Sequence, residues 1–517
     1  MEKLNKKLEG SKLNFWSFNF LFRVFIYIFP ISLFFSYYPL IHFGSNESMN
    51  FELSLPMIWL VLFDLFAFVV MVKRKTLFKK IKKEWIWLLF PVFLTTSVLW
   101  SLNSLRGILT AGILWLIYFA GYALDSFKET LRDDKIRKNF WKIFFSATLF
   151  VCVWCFLQCI LDLVGVSREW TLMCEGCTYS MFGFPHPNGF SIEPQFMGNL
   201  LLAPSIIIGW FIIKKQNHRK SKREHLRDNQ FYNSSGGLVS VFQYRLLARD
   251  RCKTDNGSRS LCFDFLWFCF LMISATLFLT FSRGAIYAFL VAIVFMTVFT
   301  IVKKGWKKIA KRLSLVWGII ILAFLFTLNL QGIMAAVSPT NDTYFGGISK
   351  ALNHLSLGVI DIREKGRTEN FSEETQAVEI EETEEEETAV FDGYVEESTN
   401  TRIRLNDAAL RVWSKDFTTV MFGVGLGGAG QALYDNGLSS APKEIIQNQY
   451  ISLLLETGLV GIILLILTLI LAIRVKKSDV QIMLSLMVAY GISLLFFAGL
   501  ANALHIYLIP IIIMLLL

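Results

Sequence analysis

The chain has 517 residues, 54% of them hydrophobic and 15% aromatic, with a formal net charge of +10. That apolar content exceeds what a water-soluble globular domain carries. The basic residues fall in clusters between apolar runs rather than over one polar face, which excludes nucleic-acid binding as the source of the charge and points to membrane topology.

Twelve apolar runs are long enough to be read as spans, at about 15–36, 53–72, 85–101, 107–124, 140–165, 196–213, 262–281, 285–302, 313–332, 449–473, 480–500 and 503–517, the last being short. The expectation is an all-α polytopic membrane protein. The first run lacks a small-residue cleavage site and should stay as an anchor. Three regions follow: spans one to nine over 1–335, a large extracytoplasmic loop over 336–448, and the final spans over 449–517. Alternating sides from a cytoplasmic N-terminus puts most of the 51 Lys and Arg on the cytoplasmic side, so both termini are expected in the cytoplasm.

Arg23 and Asp64 lie at similar depth in the first two spans and suggest either a structural ion pair or a substrate role. The loop 214–259 is strongly basic and reads as a topological anchor, with binding of anionic headgroups as the other reading. On the far side, Ser167–Gln195 forms a polar cluster in which Pro185, Pro187, Gly183 and Gly189 imply an ordered turn around His186. Glu193 stands at the mouth of the sixth span, where it serves as helix cap or as functional carboxylate. Cys174 and Cys177 lie outside the membrane, where a disulfide can form. Zinc would need four ligands, and only His186 is near in sequence, so no metal is expected. Spans seven and eight are joined by a turn almost without length, Phe281-Ser282-Arg283-Gly284-Ala285, which holds Arg283 at the outer surface. A guanidinium there suits a phosphate or diphosphate.

The long loop carries an acidic, low-complexity run at 364–397 that is expected to be disordered and dispensable. Order should return over 401–430. Arg402, Arg404 and Arg411 ride on an amphipathic helix together with Asp407, with Arg404 and Arg411 sharing a face. Gly423, Gly425 and Gly427 would let backbone approach a ligand closely. Gln447 and Asn448 open the tenth span, and Asn448, Ser452 and Glu456 form a polar stripe at helical spacing. Interhelical hydrogen bonding is the alternative use of that stripe.

FSRGA at 281–285, Ala-Ala-Leu at 408–410, GVGLG at 423–427 and QNQYISLLLETGLVG at 447–461, in this order around a large loop, resemble the O-antigen ligase and Wzy polymerase family of membrane glycosyltransferases. The resemblance implies a GT-C-like helical fold in a bacterial cytoplasmic membrane. It also implies a donor glycan on undecaprenyl diphosphate, a glycan acceptor, contact with membrane lipid, and a flippase and a chain-length regulator as partners; no cofactor and no nucleic acid are implied. Arg283 with Arg402 or Arg404 would offset the charge of the leaving diphosphate, with Arg411, Gln447, Asn448 and Glu456 also near substrate. Ligases of this kind carry His-Asn where this chain has Gln447-Asn448. Glutamine cannot take a proton, so the base is expected elsewhere, with Glu193 first and Asp407 and His186 behind it. A repeat-unit polymerase is therefore expected, with a ligase and, further off, a flippase as alternatives.

Overall fold

The computed structural model describes residues 19–35, 39–46, 49–78, 82, 85–131, 133–173, 186–191, 193–214, 258–337, 343–356, 360, 394–442, 444–474 and 480–497. Among them, seven helices are long and apolar enough to cross a membrane. These are α2 (Leu55–Lys73), α4 (Ser104–Ser126), α5 (Asp134–Leu163), α6 (Pro194–Lys214), α8 (Arg283–Lys304), α9 (Trp306–Val337) and α14 (Gln449–Arg474). Four shorter apolar helices join them: α1 (Asn19–Leu33), α3 (Trp85–Trp100), α7 (Ser258–Leu279, apolar over Leu266–Leu279) and α15 (Val480–Ser493). The chain is a multi-pass helical membrane protein, and every expected span but the last has its helix. That last one, 503–517, lies outside the described residues, as do 215–257 of the basic loop, 364–393 of the acidic run, and Cys174 and Cys177.

Hydropathy misses one element. Between α1 and α2 the chain makes an antiparallel hairpin, β1 (Pro39–Asn46) with β2 (Met49–Ser54). The helix ends follow local chemistry: Asp133 caps α5 by accepting from Lys135 N at 2.8 Å, and Pro56 sits in the first turn of α2, where a missing N–H costs nothing.

The centre of the bundle is α6, whose span is 89% buried, against 50% or less for the other six. It packs on α7, α8 and α15, and α8 in turn lies along α15. A helix apolar on all sides belongs there, and Leu200, Leu201, Ala203, Ile206 and Ile207 are all buried in the main core. A second core joins α3, α4 and α14 through Phe90, Leu94, Leu114, Leu426 and Leu453. Beside it, α11 (Tyr394–Trp413) and α13 (Ala429–Asp435) pack on α14 through Leu405, Ala409, Leu433 and Leu455.

The expected pairing of Arg23 with Asp64 does not form. Arg23 Nη2 lies 3.6 Å from Asp133 Oδ2, both side chains being about two-fifths exposed (43% and 40%). Asp64 is buried, and neither carboxyl oxygen has a hydrogen-bond partner among the described residues. The reason is that α5 begins at Asp134, several residues before hydropathy places it, which brings a second carboxylate to Arg23 in an exposed setting that costs less desolvation than pairing with Asp64.

Candidate active site

The Gly-rich turn is the structural joint of the C-terminal half. Helix α14 breaks at Gly458, with φ 61° and ψ −167°. The break frees carbonyls in the preceding turn, and the turn residues use them: Val424 N donates to Leu455 O at 2.9 Å and Gly425 N to Glu456 O at 3.0 Å. On its other side the turn docks on the α3–α4 corner. Ser101 Oγ donates to Leu426 O at 2.8 Å, and Leu426 N donates to Ser97 Oγ at 3.2 Å. A Cβ on Gly423 would stand 2.4 Å from the Glu456 carbonyl carbon, on Gly425 2.4 Å from Ser101 Cα, and on Gly427 2.6 Å from Gly107 N. The close approach these glycines permit is therefore of backbone to backbone. Glu456 is buried with its carboxyl against the amides of Gly427 and Ala429 and the guanidinium of Arg106, an environment that holds the turn in place.

A second gathering forms at the mouths of α6 and α8. Gln158 orders the turn leading into α6: its Nε2 donates to Thr171 O and Gly189 O, both at 2.9 Å, and its Oε1 accepts from Gly189 N at 2.8 Å. Gly189 has φ 60°, and the turn seats His186 flat on Phe281, ring centroids 4.7 Å apart at 12°. Phe281 is itself in the left-handed region, φ 49°, and its carbonyl lies 3.2 Å from His354 Nε2. His354 comes from α10 (Tyr344–Leu355), whose last carbonyl, Leu355 O, accepts from the Tyr287 hydroxyl. Two histidines thus brace the turn that presents Arg283.

Arg283 opens α8, where a cation is the wrong charge for the helix dipole. It faces His354 and Tyr287. From α11, the charge of Arg402 acts on His354 as well, and it also acts on Glu193. The two guanidiniums come from helices far apart in sequence and act on one imidazole. Burial and these cations push His354 down to about 3, and burial with His354 beside it holds His186 well below the usual imidazole range. Both rings are neutral at ordinary pH. Glu193 is open to solvent on one side and walled by protein on the other; burial raises its carboxyl above the usual range, and Arg402 offsets part of that shift.

The mouth of α14 joins this gathering through the end of α15. Gln449 N donates to Leu494 O at 3.0 Å, Gln195 Nε2 donates to Phe496 O at 2.9 Å, and a Cβ on Gly284 would meet Phe496 Cβ at 2.6 Å. The N-termini of α6, α8 and α14 therefore gather at one end of the bundle, where their free N–H groups favour an anion.

The remaining expected residues divide. Asn448 is the cap of α14, its Oδ1 accepting from Tyr450 N at 3.0 Å and Ile451 N at 3.2 Å; Gln447 precedes it, half-buried. Arg404, Asp407 and Arg411 are exposed on the face of α11 away from Arg402, and Asp407 Oδ2 is 2.8 Å from Arg411 Nη2. His354 and Arg106 were not singled out by the sequence: one is a lone histidine in a polar loop, the other a lone arginine at the end of an apolar run. Among the described residues, no group of three or more His, Cys, Asp or Glu could hold a metal ion.

Residues 268–466 match the family model described as O-antigen ligase. The match takes in Arg283, His354, Arg402, the Gly-rich turn, Gln447, Asn448 and Glu456, and leaves Arg106, His186 and Glu193 outside it. No curated protein and no solved structure matches the chain.

Proposed function

We propose that this chain, a multi-pass membrane enzyme of polysaccharide assembly by virtue of its O-antigen ligase family domain, polymerises lipid-linked oligosaccharide repeat units at the outer face of the cytoplasmic membrane. The observation that carries the reading is that Arg283 and Arg402 both act on His354, and that Arg402 acts on Glu193 as well. Two guanidiniums and the N-terminus of α8 suit a lipid diphosphate, and undecaprenyl diphosphate is the leaving group proposed. Glu193 takes the proton of an acceptor hydroxyl as that oxygen attacks the anomeric carbon. The bond from that carbon to the diphosphate oxygen breaks, and its electrons leave with the lipid diphosphate, whose charge the arginines offset. His186 and Asp407 are weaker candidates for the base, since one is buried on Phe281 and the other is engaged by Arg411.

The family description itself favours the second reading, a ligase that moves finished polymer to a different acceptor. Gln447 weighs against it, because it replaces the histidine expected there. Lipid-linked glycan length in a deletion strain separates the two. A polymerase leaves single repeats on the lipid, and the Arg283→Ala strain should do the same; long polymer retained on the lipid would identify a ligase. Normal long-chain polymer in either strain would overturn the proposal.

A further inference from the structure

One polar group on α11 is not used by the mechanism above. Asn406 lies four residues after Arg402, on the same side of the helix, whereas Arg404, Asp407 and Arg411 occupy the exposed side. Its neighbours Leu405, Ala408 and Ala409 are buried in the local core. Asn406 Oδ1 is itself buried and has no hydrogen-bond partner among the described residues. Asparagine is a poor helix former, and a buried carboxamide oxygen without a donor is costly. Helix propensity and burial both argue for alanine or leucine here. Local rules broken together in this way mark a residue kept for a ligand.

We propose that Asn406 accepts a hydrogen bond from the first sugar of the donor, through a hydroxyl or an acylamino N–H on the ring joined to the diphosphate. Four residues of helix advance about 6 Å, which is the reach from a phosphate held by Arg402 to the ring substituents of the sugar it carries. A site built to bond a polar substituent discriminates strongly against a ring lacking it, so Asn406 is a specificity-determining residue. The inference rests on the placing of the diphosphate at Arg402.

The test is thermal protection of the purified full-length protein in detergent by two probes, undecaprenyl diphosphate and the native lipid-linked repeat unit extracted from the deletion strain. In the wild type both should raise the unfolding temperature, the glycan-bearing lipid by more. Asn406→Leu should unfold no lower than wild type without ligand and should respond equally to the two probes. Asn406→Ala, which removes the carboxamide without adding bulk, gives the same comparison if the leucine does not fit. A full sugar-dependent increment in the variants would overturn the inference and leave the polymerase reading standing. A lowered unfolding temperature of ligand-free Asn406→Leu, with Asn406→Ala keeping the increment, would overturn it in favour of a structural role. No protection of the wild type by either probe would overturn the diphosphate reading and this inference with it.

Discussion

A base must be ionised to take a proton, and at Glu193 the two influences on ionisation oppose each other. Protein packed around the carboxyl raises its pKa, and Arg402 lowers it by less. The net shift is upward, so the rate of glycan transfer should climb with pH along an acid limb centred above the ordinary glutamate value of about 4.3. His354, at about 3, is already neutral there and does not contribute to that limb. Glu193→Gln should abolish the limb and lower kcat by about 10²–10⁴, as read from pH–rate profiles in proteoliposomes; a limb that survives the substitution would place the base elsewhere. The sequence pointed to Glu193 because a carboxylate at the start of a long apolar run stands out. It could not show that the charge of Arg402 acts on that carboxyl, since Arg402 lies 209 positions further along the chain.

At the scale of elements, the Gly-rich turn ties α14 to the α3–α4 corner, and comparing Gly425 with Gly437, which lies outside that turn beyond α13, separates two demands made on a glycine. Gly437 has φ 68° with open space around it, whereas Gly425 has φ 88° and Ser101 Cα in the position a Cβ would clear by only 2.4 Å. Gly437→Ala should therefore cost only the left-handed backbone penalty, about 1–2 kcal/mol. Gly425→Ala should add an overpacking cost of about 1–3 kcal/mol, because the obstructing atom is backbone and cannot swing aside. Thermal unfolding of the two variants in detergent gives the comparison, and equal losses would mean that the turn does not bear on the corner. The GVGLG spelling announced a close approach, but to a ligand; the approach to backbone was not legible, because Ser101 meets Leu426 across 325 positions, and no local pattern announces such a contact. The hairpin of β1 and β2 went unread for a related reason: short strands flanked by spans carry little hydropathy signal of their own.

For the whole molecule, hydropathy was a good guide to the helices and a poor one to what meets at their ends, because the bilayer constrains length and polarity but not which helix sits at the centre. The near-complete burial of α6 explains how the turn at its mouth can meet residues at α8, α10 and α11: His186 lies on Phe281 and beside His354, and Glu193 feels the charge of Arg402. The last two, α10 and α11, flank the acidic run, and each is fastened to the bundle on its own. Tyr287 and the Phe281 carbonyl hold the end of α10, while α11 is held through Leu405, Ala409 and Val412 against α13 and α14. Both attachments are made by residues outside the acidic run. Shortening a connection also lowers its closure entropy, by only about 0.6 kcal/mol per halving, so the helices should dock as before. Replacing residues 364–390 with a Gly/Ser linker of roughly fifteen residues, long enough to span several tens of ångströms when extended, should therefore leave transfer activity and polymer chain length as in wild type. Gel analysis of the polymer made by such a strain measures both. Loss of polymer with the protein still folded and membrane-inserted would show that the carboxylates of this run act on the substrate, and the two-arginine site would then be incomplete without them.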